Sequence, residues 1–289
     1  MNLDALEAAA VEEIFTRHGA WSVTLSDAGD NPVLEPGPGE IPLWADTRIT
    51  GLFSADADLG NLVTNLLHEL ELGQLPPHHI ERLADRTWER EWLKDFGPMS
   101  FGERLWICPG NSDVEQDDAV IIRLDPGLAF GTGTHSTTAL CLEWLDGLSL
   151  HGRTLLDYGC GSGVLAIAAL KLGCQAASAM DIDPQAIIAT RQNAEINGVA
   201  GRLRVFGSVD DIGGVFDVVV ANILAGPLVQ FAESITSTLA GHGMLALSGV
   251  LCEQAASVMA AYEPWIEFDK PTFREQDGQT WSRLTGTRR

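Results

Sequence analysis

The sequence predicts a doubly wound α/β domain preceded by a small α+β domain. Three observations carry this. Beyond Arg153, short apolar runs rich in β-branched residues alternate with helical stretches, an order that needs right-handed crossovers and a parallel sheet covered on both faces. Ahead of residue 87 the order is instead helix, two strands, helix, strand. Finally, 289 residues exceed what one core usually holds, ~150 to 250.

From Asn2 to His18, the residues Leu3, Leu6, Ala10 and Ile14 keep a helical period that Gly19 closes, with Asn2 or Asp4 as cap. Trp21 to Leu25 and Val33 to Leu34 flank the turn-rich Asp27 to Pro32, and Arg48 to Phe53 reads as a further strand. Leu59, Leu62, Val63, Leu66, Leu67 and Leu70 form an amphipathic helix stopped by Gly73 and Pro76-Pro77, before an expected strand at Ile80 to Leu83. This first domain spans residues 1–86. Residues 87–123 form a connection: a short helix at Thr87 to Phe96, then strands at Arg104 to Cys108 and Ala119 to Leu124. The α/β domain spans 124–289. Its expected strands are Thr154 to Tyr158, Ala176 to Asp181, Leu203 to Phe206, Phe216 to Ala221 and Met244 to Ser248, with helices at Val164 to Leu172, Pro184 to Asn197, Pro227 to Leu239 and Leu251 to Tyr262. Ile266 to Asp269 and Thr280 to Leu284 suit an antiparallel hairpin at the edge.

With 45% hydrophobic and 20% charged residues, the composition excludes a disordered or fibrous chain. No run approaches the ~18 apolar residues of a membrane span and no signal peptide opens the chain, so a cytoplasmic protein without membrane contact is expected. Five scattered cysteines make disulfides and structural zinc unexpected. The net charge is −22, of which −15 falls on residues 1–123 and −7 on the rest. Such a balance repels phosphate backbones, so no direct nucleic-acid partner is expected; the acidic N-terminal part is either a solvated surface or a docking face for a basic partner.

The chemistry gathers at the expected strand ends. Leu155 to Leu165 reads as a buried strand, a turn with Gly159, Gly161 and Gly163 at alternate positions, and a helix. The dinucleotide spacing G-x-G-x-x-G fails at Val164, whereas alternate glycines give the close backbone approach that S-adenosylmethionine needs around its methionine and ribose. Asp157 is expected to brace that loop through backbone N–H groups. Asp181, 22 residues after Gly159, ends the next strand where a carboxylate can take both ribose hydroxyls; Asp183 points away or caps the helix at Pro184. Asn222 ends the strand Val218 to Ala221 and can accept a hydrogen bond from an amine, its alternative being a loop cap. Ahead of the sheet, Gly131 and Gly133 make a loop in which Phe130 could cover the ligand. Ser136 to Thr138 offer capping hydroxyls for the helix through Leu145, and His135 reads as structural rather than as a base.

Taken together, DPGLAFGTGTHSTT (125–138), LLDYGCGSGVLAIAALKLG (155–173), MDIDPQAI (180–187), RQNAEINGV (191–199) and VVVANILAGPL (218–228) resemble the ribosomal protein L11 methyltransferase family, PrmA, with WEREW and FGERLWICP extending the likeness toward the N-terminus. The resemblance implies a seven-stranded, Rossmann-like, class I methyltransferase domain that uses S-adenosyl-L-methionine. It implies methyl transfer to amino groups, lysine side chains and the N-terminal α-amine, of the basic ribosomal protein L11. By motif position the cofactor contacts fall on Thr138, Gly159, Asp181 and Asn222, to which the reading of the residues adds Gly161 and Phe130. The same resemblance implies a ferredoxin-like recognition domain at the N-terminus. Here, however, a helix is the first element, so either the chain begins downstream of a leading strand or the domain lacks an edge. A monomer is expected. On residues alone, a methyltransferase of another protein, a nucleic acid or a small molecule, and a non-catalytic cofactor-binding or ribosome-assembly factor, remain the alternatives.

Overall fold

The computed structural model describes residues 1–3, 6–29, 46–82, 97–110, 112, 114–124 and 135–289. The expected strand at Val33 to Leu34, the helix at Thr87 to Phe96, and the Phe130, Gly131 and Gly133 loop lie outside them. The chain divides into two units, Met1–Arg86 and Thr87–Arg289.

In the first unit, helices α1 (Ala8–Arg17) and α2 (Leu59–Glu69) pack on the antiparallel pair β1 (Ser22–Asp27) and β2 (Thr47–Leu52). Their apolar stripes supply the core: Val11, Ile14 and Phe15 from α1 and Leu62 and Leu66 from α2 close over Ile49. Asp58 caps α2 by accepting from the Asn61 N–H. The residues ahead of α1 correct the sequence reading. Instead of opening the helix, Asn2 bridges antiparallel to Arg48, Leu3 N–H donates to Thr47 O, Ile49 N–H donates to Met1 O, and Asn2 N–H donates to Pro77 O. Three residues thus extend the sheet beyond β2, too few for any sequence period to reveal. The expected strand at Ile80 is absent among the described residues 80–82; Ile80 is 59% exposed, and the chain meets the sheet at Pro77 instead.

The second unit opens with a three-stranded sheet, β3 (Met99–Phe101), β4 (Leu105–Pro109) and β5 (Val120–Leu124), in which β4 runs antiparallel to β3 and parallel to β5. The main sheet holds β6 (Thr154–Tyr158), β7 (Ala176–Met180), β8 (Leu203–Phe206), β9 (Phe216–Asn222), β10 (Leu239–Leu251), β11 (Ile266–Phe268), β12 (Thr272–Gln276) and β13 (Gln279–Arg288). Seven strands run in the order β11-β13-β10-β9-β6-β7-β8, and β12 pairs beside β11 along β13. Strands β6 to β10 are mutually parallel and β13 is antiparallel to β10. Alternation of side chains gives two cores: Leu155, Val218 and Val220 face one side with α3 (Ser136–Asp146) and α4 (Val164–Lys171), while Leu156, Val219 and Ala221 face α6 (Ala225–Gln230), α7 (Ala232–Ser237) and α8 (Ala255–Tyr262). Helix α5 (Pro184–Ile196) adds Ala194 to the first core.

Three expectations change here. The helix foreseen over Pro227 to Leu239 is two short helices hinged at Phe231, and Leu239 already belongs to β10. The helix foreseen from Leu251 starts at Ala255, after Gln254 folds back so that its Oε1 accepts from the Leu251 N–H at 2.9 Å. Strand β11 does pair antiparallel with β13 at the sheet edge, as expected, but an unforeseen strand, β12, comes between them in the chain and forms the hairpin with β13. Its two-residue turn is Asp277-Gly278, with φ of +52° and +75°, the doubly left-handed geometry that suits a right-twisted ribbon.

Candidate active site

The register aligns the ends of β6, β7, β9 and β10. Tyr158 pairs with Met180 on one side and Ala221 on the other, and Ser248 of β10 pairs with Asn222. The next residue out on three adjacent strands is therefore Gly159, Asp181 or Asn222, at strand spacings of about 4.8 Å. The structure brings these sequence-predicted residues to one carboxyl edge.

Residues 159–163 form a tight loop between β6 and α4. Gly159 N–H and Cys160 N–H both donate to Met180 O, at 2.8 and 3.0 Å, which turns the chain across the end of β7. Gly159 has φ +77°, and a Cβ there would run into Cγ2 of Ile223, so only glycine lets the loop lie against the end of β9. Gly161 N–H donates to Oδ2 of Asp181 at 2.9 Å, while the other oxygen accepts from Asp183 N–H at 3.0 Å. Each carboxylate oxygen keeps a lone pair, so Asp181 holds the loop and can still accept two hydrogen bonds. Asp183 caps α5, accepting from Gln185 N–H at 2.8 Å. Between them Ile182 is 86% exposed, a large apolar side chain beside the Asp181 carboxylate that the sequence reading passed over.

Asp157 differs from expectation. It is 1% exposed, and its Oδ2 accepts from Ala166 N–H at 3.1 Å in the first turn of α4 rather than from the glycine turn. Burial pushes its carboxyl up to about 7. The glycine loop is braced instead by α5. Thr190 Oγ1 donates to Gly161 O at 2.9 Å and Asn193 Nδ2 to Ser162 O at 2.9 Å. One turn on, Asn197 both accepts from Arg123 N–H and donates to Arg123 O, at 2.8 and 2.7 Å. These residues are spaced three and four apart within RQNAEINGV and its preceding turn, one buried helical face. That polar spacing was the available signal for them.

Asn222 Nδ2 donates to Oγ1 of Thr138 at 3.2 Å, joining two predicted site residues 84 positions apart. Thr138 lies in the first turn of α3 and is 3% exposed. The cap of that helix is His135, whose Nδ1 accepts from Thr137 N–H at 3.3 Å, rather than the hydroxyls of Ser136 to Thr138. His135 packs edge-on against Trp281 with centroids 4.7 Å apart, and burial pushes its imidazole below the ordinary value, which suits the neutral acceptor a cap requires.

A family model described as Ribosomal protein L11 methyltransferase (PrmA) matches residues 1–289. The chain belongs to that family. Ribosomal protein L11 methyltransferases of Erwinia tasmaniensis and Serratia proteamaculans are each 52% identical to it, over 292 and 290 residues, covering 100% of this chain and 98% of theirs. The crystal structure of ribosomal protein L11 methylase from Lactobacillus delbrueckii subsp. bulgaricus superposes with a TM-score of 0.61 at 33% identity, covering 67% of this chain and 100% of that one. An L11 methyltransferase of this family uses S-adenosylmethionine, and the α/β sheet described above is that of a Rossmann-like methyltransferase.

Proposed function

We propose that this chain transfers methyl groups from S-adenosylmethionine to amine nitrogens of ribosomal protein L11, both lysine side chains and the N-terminal α-amine. The observation that carries the reading is the Asn222–Thr138 contact at the end of β9. The Asn222 nitrogen is committed to Thr138, which leaves the amide oxygen as the acceptor for a substrate N–H.

The carboxyl edge fits the cofactor on two grounds. Gly159 and Gly161, at φ +77° and +53°, fold the loop across the strand ends in a left-handed backbone that side chains disfavour, which keeps bare backbone at that edge, and Asp181 retains acceptor capacity for a pair of ribose hydroxyls. We assign Gly159, Gly161, Asp181, Thr138 and Asn222 to this contact. When bound, the cofactor supplies a methyl group already activated on a sulfonium. The remaining task of the chain is to present an uncharged nitrogen. A free lysine has a pKa of ~10.4, so only about four parts in ten thousand are neutral at pH 7. Desolvation at the site lowers that value, and the amide oxygen of Asn222 orients the N–H so that the lone pair points away from it. An amide acceptor carries no full negative charge to hold the amine protonated, and the proton released can pass to water. No side chain is assigned as general base, and His135, committed to Thr137 and Trp281, is not one.

The test is fragment mass mapping of L11 methylated by this chain. Methyl groups confined to lysine Nζ and the N-terminal nitrogen are expected; methylation on arginine, histidine or carboxylate side chains would overturn the amine assignment.

A further inference from the structure

The start of α3 makes more contacts with the terminal hairpin than a capping role alone requires. Ser136 N–H, an unsatisfied first-turn donor, is met by Oε1 of Gln276 at 2.6 Å, 140 residues away at the end of β12. His135 sits edge-on to Trp281 of β13. Further along the same helix, Leu140 O accepts from Arg283 Nη1 at 2.6 Å, and Glu143 pairs with Arg274 at 2.7 Å. Ser248 Oγ lies within hydrogen-bond distance of both Thr137 O and Ser282 O, at 3.3 and 3.0 Å. Every one of these contacts brackets Thr138, whose hydroxyl holds Asn222.

We infer that the β12–β13 hairpin sets the position of the Thr138–Asn222 pair, with Gln276 and Trp281 as positioning residues for methyl transfer. Gln276 fixes the height of the first turn along the helix axis and Trp281 fixes the direction from which the chain enters it. A shift of that turn moves the Thr138 hydroxyl, releases the Asn222 amide to rotate, and misaligns Oδ1 with the amine. Among the described residues no hydrogen bond joins the hairpin to the glycine loop or Asp181, so of the assigned cofactor contacts Gly159, Gly161 and Asp181 stay in place when it is lost, and the loss should act on the chemical step more than on cofactor affinity. This inference rests on the reading of Asn222 as amine acceptor.

The experiment measures single-turnover methyl transfer to L11 and cofactor affinity by calorimetry in Gln276→Leu, Gln276→Glu, Thr138→Ala and the Gln276→Leu/Thr138→Ala double variant. Gln276→Leu should slow transfer about tenfold while changing cofactor affinity less than about threefold. Gln276→Glu, which keeps an oxygen facing Ser136 N–H, should restore most of the rate. In the double variant the two losses should not multiply, because both act through one hydroxyl. A normal rate in Gln276→Leu beside a slow Thr138→Ala, or losses that multiply in full, would overturn the positioning role alone. An unaffected Thr138→Ala would remove the Asn222 reading, and this inference with it. Melting curves of each variant separate these outcomes from a failure to fold.

Discussion

Asn222 is held by its nitrogen, and this one choice of partner decides what its oxygen can do. An aspartate at the same place would pair with the ammonium form of lysine and raise the cost of deprotonating it; an amide accepts a hydrogen bond without that penalty. Asp157 works in the opposite sense, as a carboxyl sealed beneath the loop. Its Oδ2 faces Ala166 N–H and its Oδ1 meets no partner among the described residues. Burial pushes it up to about 7, above the ~3.9 of an exposed aspartate, so the fold favours the protonated acid. Its contribution to stability is fully present below about 3.9 and is lost as pH rises to about 7. Asp157→Asn cannot ionise and keeps an oxygen for Ala166. Urea unfolding from pH 4 to pH 8 should therefore show wild type losing up to about 4 kcal/mol relative to the variant, and a constant difference would contradict the burial account.

At the scale of elements, α5 emerges as the support of the glycine loop. Thr190 is fully buried and Asn193 is 3% exposed, and both spend their donors on loop carbonyls, while Gly159 and Cys160 N–H donate to Met180 O and Gly161 N–H to Asp181. Asn193→Ala removes a buried donor from Ser162 O, at a cost of about 1 to 3 kcal/mol, and should weaken cofactor binding several-fold as the loop loosens; denaturant midpoints and calorimetry check both. Little of this support was legible in the sequence. The strands were, because Leu155-Leu156 and Val218-Val219-Val220 are apolar on both faces and stop at glycine or asparagine, and β6 and β8 have the expected limits. The edge positions of Gly159, Asp181 and Asn222 followed from those strands. Thr190 and Asn193 read as ordinary polar helix residues because their partners are carbonyls about 30 positions upstream, which carry no side-chain signal. Strand β12 escaped notice because Thr272 to Gln276 carries a single large apolar residue, Phe273, itself 46% exposed at the sheet edge. Residues 1–3 escaped because a single bridge at Asn2 with its flanking hydrogen bonds has no period to read.

For the whole molecule, charge separates the two units. Met1–Arg86 carries four bases against 15 acids, a net −11 over fewer than a third of the residues. We propose that this unit attracts the basic substrate, while the α/β unit binds the cofactor through glycine backbone and local hydrogen bonds. Added salt should then act on one and spare the other. Raising ionic strength from ~0.05 to ~0.5 M should lower kcat/KM for L11 by about tenfold with cofactor affinity nearly unchanged, since exposed charges are screened beyond a Debye length. Equal sensitivity of both, or of neither, would remove the electrostatic docking role.

The most direct test of the central claim is the intact mass of L11 followed over time with S-adenosylmethionine and either wild type or Asn222→Ala. With wild type the L11 mass should climb in steps of one methyl group, and with the variant the same steps should appear at least about tenfold more slowly. An L11 mass that never changes, or a variant that keeps pace with wild type, would contradict the account.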